Sequence, residues 1–227
     1  MKICLIPARG GSKRIRNKNI KNFCGKPLIS YSIDLAKKSK IFDEIYVTTD
    51  SQKIKKISIK YGAKVPFLRP KKISNDGATD KEVLDHFIEY CKKKNINIDY
   101  LCYLYPTSPL LDISTLKKCN KMITRSNYFQ LMTVCSFPSA PQKAMKKNKF
   151  NEVELINKKF QFTLSQNLKE LYYDAGQCYW YNLKKTKLKN KILSIKLNRY
   201  NVQDINTMED FVVAEQLYKL KLARKKK

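Results

Sequence analysis

The chain has 227 residues, with 47 Lys and Arg against 19 Asp and Glu, a formal charge of +28 with its single histidine neutral. At roughly 150 residues per domain this is one large domain, and 43% apolar residues are enough for a core, which excludes a disordered chain. No apolar run reaches the roughly 18 residues of a membrane span, and Met1-Lys2-Ile3-Cys4-Leu5-Ile6-Pro7 is too short for a secretion signal.

The seven cysteines (Cys4, Cys24, Cys91, Cys102, Cys119, Cys135 and Cys178) are odd in number and never form C-x-x-C. That pattern argues against a disulfide framework or a zinc ribbon and suits a reducing cytoplasm. With His86 the only histidine, no two-histidine metal motif can be written. His86 falls beside the helical stripe Val83, Leu84, Phe87, Ile88 and Cys91, so a solvated surface position is expected. The lysines are spread over the whole chain, from Lys37-Lys38 to Lys225–Lys227, and the tail, Arg224 to Lys227, is expected to fray. A nucleic-acid footprint is a stripe on one face with arginines for bidentate phosphate contact. The diffuse lysine reads instead as a solvated surface, so a nucleic-acid partner is not expected despite the charge.

In chain order, Ile3–Pro7 is a short apolar run suited to a buried parallel strand. A polar loop from Ala8 to Gly25 follows, and Pro27 opens a helix on Leu28, Tyr31, Leu35 and Ala36. Ile45–Thr49 reads as a second strand. A helix on Ile54, Ile57 and Tyr61 follows, ending at Gly62. Lys64–Leu68 is predicted as a third strand. The loop from Arg69 to Asp80 leads to the helix of His86. Tyr100–Tyr105 is a fourth strand, stopped by Pro106-Thr107-Ser108-Pro109. Asp112 or Ser114 starts another helix, and Gln130–Phe137 is a fifth strand. From about Ser139 to Tyr173 the rhythm breaks into short lysine-rich pieces, read as an insertion on one edge of the sheet. Cys178–Tyr181 and Ile192–Leu197 are later strands. Thr207-x-x-Asp210 resembles a capping box for a last helix, whose buried stripe is predicted as Val213, Leu217 and Leu220. Strand–helix alternation at this rhythm predicts an α/β fold, a Rossmann-like and mostly parallel sheet flanked by helices.

Three segments carry chemistry. Pro7-Ala8-Arg9-Gly10-Gly11-Ser12-Lys13-Arg14, running on to Lys18-Asn19, directly follows the first strand, and ligands of open α/β sheets gather at the carboxyl ends of strands. Gly10-Gly11 lets backbone amides turn toward an anion, and Arg9, Lys13 and Lys18 add positive charge. Neither the Walker spacing nor G-x-G-x-x-G is present, so phosphate binding stands beside a plain solvated loop. In Val202-Gln203-Asp204-Ile205-Asn206-Thr207, Asp204 and Asn206 alternate along an extended segment. A hard-cation site and a helix-capping turn are both open there. Tyr173-Asp174-Ala175-Gly176-Gln177-Cys178-Tyr179-Trp180 mixes a carboxylate and an amide with aromatics that alone would suit a core.

Together, Pro7 to Asn19, Gly25-Lys26-Pro27, Thr48-Thr49-Asp50, Arg69-Pro70, Tyr105-Pro106-Thr107-Ser108-Pro109 and Asp204-x-Asn206 resemble the cytidylyltransferases that activate nonulosonic, sialic-acid-like sugars. Tyr61 to Pro70, Tyr173 to Trp180 and Val202 to Ile205 look most like the branch acting on pseudaminic acid. The resemblance runs from residue 1 to about 218, in order. It implies a single domain of the nucleotide-diphospho-sugar transferase type over residues 1–227, with about 139–173 a small inserted dimerisation element. It further implies a homodimer, with CTP and a nine-carbon keto-acid sugar as partners and Mg²⁺ as cofactor. By similarity, Arg9 and Lys18 hold the triphosphate and Ser12 and Lys13 complete the loop. Asn19, Arg69 and the backbone near Ala78 surround the cytidine, with Asp80 close by. Lys143, Gln166 and Gln177 face the sugar, and Asp204 ligates Mg²⁺ with Asn206 as a second, neutral oxygen ligand.

Three departures from the pattern stand out. Asn206 replaces the second carboxylate of D-x-D. Leu164 precedes Ser165-Gln166 where a basic residue is common. Tyr105 stands where sialic acid members carry Gln before Pro-Thr-Ser-Pro, which changes the hydrogen-bonding inventory facing the sugar and favours one other than N-acetylneuraminic acid. The alternatives implied are an N-acylneuraminate or legionaminate cytidylyltransferase, or a non-catalytic homologue that binds CTP or the sugar.

Overall fold

The computed structural model describes residues 1–185 and 191–225; the end of the tail, 226–227, lies outside the described residues. In chain order the elements begin with β1 (Lys2–Pro7), β2 (Asn22–Phe23), β3 (Lys26–Pro27), α1 (Leu28–Ser39), β4 (Glu44–Thr48) and α2 (Gln52–Lys60). They continue with α3 (Asp80–Lys93), β5 (Tyr100–Leu104), α4 (Ile113–Thr124) and β6 (Gln130–Ser136). The last are β7 (Met145–Lys147), β8 (Val153–Leu155), β9 (Tyr172–Asn182), β10 (Leu193–Leu197) and α5 (Met208–Lys225).

A six-stranded sheet in the order β10-β6-β9-β5-β1-β4 organises the chain. β9 runs antiparallel to both its neighbours, β5 and β6, while the other ladders are parallel. Ile3, Cys4, Leu5 and Ile6 are all fully buried, which requires cover on both faces. The strand period of two divides them: Cys4 and Ile6 join Ile29 and Ile33 of α1 and Leu116 of α4, whereas Ile3 and Leu5 join Val83, Leu84 and Phe87 of α3. The result is a helix–sheet–helix sandwich, as the alternation predicts.

Local chemistry explains most boundaries. Ser51 caps α2, with Oγ accepting from the Ile54 amide at 3.4 Å, and Gly62 follows that helix at φ +93°. Thr79 and Glu82 form a reciprocal capping box on α3, and Asp112 caps α4 through the Thr115 amide at 2.7 Å. Thr207 and Asp210 make the expected reciprocal pair ahead of α5: the Asp210 amide donates to Thr207 Oγ1 at 3.2 Å and the Thr207 amide donates to Asp210 Oδ2 at 2.8 Å.

Four expectations need correction. Lys64–Leu68 touches β4 only through isolated bridges at Lys64 and Leu68, because Pro66 between them has no amide to continue a ladder. The strand of Cys178 starts earlier, at Tyr172, so the irregular segment ends before residue 173. On α5 the buried residues are Phe211 and Ala214, with Tyr218 packed beside them against Phe23 and Tyr31. Val213 and Leu220 are 46% and 43% exposed, since the helix is rotated to seat its aromatics. His86 is half-buried: its ring meets Phe67 edge-on at 5.0 Å, Nδ1 has no partner, and burial lowers its pKa.

Candidate active site

The loops at the carboxyl ends of β1, β4 and β5 meet at one rim of the sheet. There they enclose a cleft of about 260 Å³ lined by Arg9, Lys18, Asn19, Arg69, Asp76, Ala78, Asp80, Tyr103 and Tyr105, among others. The loop after β1 is fastened to the one after β4. The Gly10 amide donates to Asp50 Oδ1 at 2.7 Å, and a Cβ at Gly10 would lie 2.9 Å from that of Ser51, so no larger residue fits. The Gly10 amide is therefore satisfied by a protein carboxylate rather than left open for a phosphate, a correction to the expected glycine nest. Gly11, by contrast, faces open space.

Cations converge here. Arg9 Nη1 and Lys13 Nζ each lie 2.7 Å from an oxygen of Asp76, whose carboxyl is held below its usual range by hydrogen bonds from Lys13 and then Arg9. Lys18 Nζ donates to the Ile205 carbonyl at 2.7 Å, which ties the β1 loop to the segment preceding α5. Burial lowers the Lys18 pKa and the nearby charge of Asp204 opposes that shift. Asp204 is exposed and accepts from Asn206 Nδ2, while Asn206 Oδ1 accepts from Arg14 Nη2 at 2.9 Å.

This arrangement bears on the expected cation. Asp204 offers a hard anionic oxygen, and Mg²⁺ is suited by one or two carboxylates completed by substrate phosphates and water. The oxygen of Asn206 accepts from Arg14, which uses one of the two lone pairs an amide oxygen offers. Among the described residues no group of three or more His, Cys, Asp or Glu side chains could hold a metal.

Polar side chains line the inner wall. Asn19 is 5% exposed; its Nδ2 donates to the Arg9 carbonyl at 3.0 Å and its Oδ1 is buried without a partner, an acceptor in want of a donor. Arg69 is likewise buried, with Nε donating to Ser74 Oγ at 3.0 Å and its amide to the Thr49 carbonyl at 2.7 Å. Asp80 accepts from Tyr103 at 2.8 Å and from the Tyr105 phenol. Burial, then that bond to Asp80, raises the Tyr105 pKa, keeping it a neutral donor. The rings of Tyr105 and Tyr179 meet edge-on at 5.5 Å, and Tyr179 donates to Asp174 at 2.7 Å.

Other expected residues are placed differently. Ser12 is half-buried beside Lys13 on the rim. Gln177 is only 1% exposed and is not among the residues that line the cleft: Nε2 donates to the Ala175 carbonyl at 3.0 Å, its backbone carbonyl accepts from the Tyr105 amide, and Oε1 is buried without a partner. Lys143 and Gln166 sit on short 3₁₀ turns of the inserted segment and do not line the cleft. Conversely, Asp76 and Tyr103 take part without a motif to announce them, and Asp50 and Arg14 lie inside recognised motifs that assign them no role. Asp76 could have been found as the only acid between Arg69 and Thr79.

The chain, a mostly parallel sheet with a cationic loop over its carboxyl rim and an acid arriving from the far C-terminal segment, has the nucleotide-diphospho-sugar transferase fold. The model of the cytidylyltransferase family matches residues 3–226, and the chain belongs to that family. It is 39% identical over 223 residues, covering 96% of each chain, to a pseudaminic acid cytidylyltransferase of Campylobacter jejuni. It is also 38% identical over 139 residues, 55% of this chain and 32% of the other, to an N-acylneuraminate cytidylyltransferase of Escherichia coli. Among solved structures, a CMP:2-keto-3-deoxy-manno-octonic acid synthetase complexed with CTP shares the fold at a TM-score of 0.69. That match has 14% identity and covers 97% of this chain and 99% of the other.

Proposed function

We propose that the chain transfers CMP from CTP to the anomeric hydroxyl of a nonulosonic acid, pseudaminic acid, releasing pyrophosphate. The observation that carries the reading is the meeting of Lys18 with the Asp204–Ile205 segment at the mouth of a cleft that also holds Arg9 and an unpartnered Asn19 acceptor. The identity to the Campylobacter jejuni protein across nearly the whole chain supports the choice of sugar.

The sugar hydroxyl attacks the α-phosphorus as pyrophosphate departs in line, a reaction that needs positioning and charge neutralisation more than covalent help. Arg9, Lys13 and Lys18 bind the triphosphate, with Ser12 ordering the loop. Asn19 Oδ1, Arg69 and the backbone at Ala78 hold the cytidine. Tyr105, fixed by Asp80, shapes the wall that meets the sugar. Asp204 is the residue that would hold Mg²⁺, which would supply polarisation of the phosphate and a lower pKa for the attacking hydroxyl. Lys143 and Gln166, remote from their own chain's cleft, serve the partner's site in a homodimer. The exposed apolar residues of the inserted segment, Phe150, Ile156 and Phe162 at 70%, 66% and 91%, support such an interface. No helix among the described residues is long and apolar enough to cross a membrane, and a cytoplasmic location accords with seven free thiols.

A coupled pyrophosphate assay with CTP against a panel of nonulosonic acids tests this reading. Turnover with pseudaminic acid and little with N-acetylneuraminic acid is expected. Tight CTP binding without turnover on any member of the panel would point to a non-catalytic homologue.

A further inference from the structure

Asp76 reaches across the cleft mouth and divides its two oxygens between two cations. Oδ1 lies 2.7 Å from Arg9 Nη1 and Oδ2 lies 2.7 Å from Lys13 Nζ. A planar anion seated between a guanidinium and an ammonium is the arrangement those groups adopt with phosphate oxygens. Asp76 does not depend on these pairs for its backbone shape. The turn around it is closed by Asn75, whose Oδ1 accepts from the Gly77 amide at 2.9 Å and whose Nδ2 donates to the Lys72 carbonyl at 3.0 Å. The carboxylate is about half exposed, so it can swing into solvent without leaving a buried charge unpaired.

We propose that Asp76 is a resident counter-ion of the phosphate clamp: it keeps Arg9 and Lys13 converged and is exchanged for the polyphosphate of the incoming nucleotide. This rests on reading the cleft as a triphosphate site. Because Asp76 engages both cations at once, displacing it takes a ligand with several phosphate charges, and a single phosphate competes poorly. The exchange thus discriminates the triphosphate substrate from the CMP-sugar product, whose single phosphate carries too little charge, and leaves pyrophosphate able to compete. Exposed pairs of this kind are individually weak, so the effect is a modest factor.

Calorimetry of wild type, Asp76→Ala and Asp76→Glu with inorganic tripolyphosphate, CTP, ATP and cytidine tests the exchange. Asp76→Ala should bind tripolyphosphate and CTP about three- to tenfold more tightly, leave cytidine unchanged, and differ from Asp76→Glu, which keeps the competing charge. Unchanged or weaker tripolyphosphate binding in Asp76→Ala would overturn the proposal, as would a cytidine affinity moving by the same factor, which marks a loop-shaping role. If tripolyphosphate tightens but CTP is not preferred over ATP, the counter-ion stands and the cytidylyl reading fails. If CTP is preferred and nothing tightens, the reverse holds.

Discussion

Asp210→Ala removes one carboxylate that serves four donors. Oδ2 accepts from the Asn206 amide at 2.9 Å, the Thr207 amide at 2.8 Å and Thr207 Oγ1 at 3.0 Å, while Oδ1 accepts from Gln203 Nε2 at 3.1 Å. These bonds fix residues 203–207, the segment that carries Asp204 and offers the Ile205 carbonyl to Lys18. Loss of a helix cap costs about 1 kcal/mol, and the second amide adds about as much because its partner was ionised but partly hydrated, for a total of about 2 kcal/mol. For a chain of this size that lowers Tm by about 4–8 °C, read by differential scanning calorimetry. Burial pushes the Asp210 carboxyl up, but hydrogen bonds from Thr207 and Asn206 outweigh it and leave the pKa below its usual 3.8. The stabilisation is therefore complete above the unfolded value and is lost as pH falls through the lower folded one, so the gap between wild type and variant narrows only below about pH 4. A variant with unchanged Tm, or a deficit that does not shrink in acid, would refute this account of the segment.

Other expectations concern charge, metal and assembly. Because burial lowers the Lys18 pKa, CTP affinity should fall on the alkaline side before an ordinary lysine at 10.5 loses its proton, and Lys18→Arg should carry that limb to higher pH; calorimetric titrations across pH read both. Asn206→Asp places a second carboxylate beside Asp204 and should tighten Mn²⁺ binding about tenfold, measured by the electron paramagnetic resonance signal of free Mn²⁺; no change would mean that Asp204 alone governs the cation. Phe162→Asp, at an apolar side chain 91% exposed, should shift a dimer toward monomer in sedimentation analysis and reduce turnover while leaving CTP affinity intact.

The central strands β1 and β5 were legible because they are buried on both faces and announce themselves as unbroken apolar runs, as Ile3 to Ile6 do. Caps were legible for a local reason: Asp112, Thr207 and Gly62 act within a few residues of themselves. What escaped depends on partners distant in the chain. That β9 is antiparallel and draws Gln177 inward follows from its insertion between β5 and β6, which no local pattern records. The α5 stripe was misplaced because Phe23 and Tyr31, far upstream, decide which of its apolar residues turn in. Within the site, Arg9, Lys18, Asn19, Arg69 and Tyr105 stand in recognisable motifs and line one cleft with Asp80. Asp76 matters only through side chains it meets across loops.

The central claim is that Lys18 and Asp204 act on one nucleotide from opposite walls. Pyrophosphate release from CTP and pseudaminic acid, followed for wild type, Lys18→Ala and Asp204→Ala at saturating Mg²⁺, tests it most directly. Each variant should lose at least about a hundredfold in turnover, the scale of removing one group that stabilises transition-state charge. Full turnover by Asp204→Ala would contradict the account.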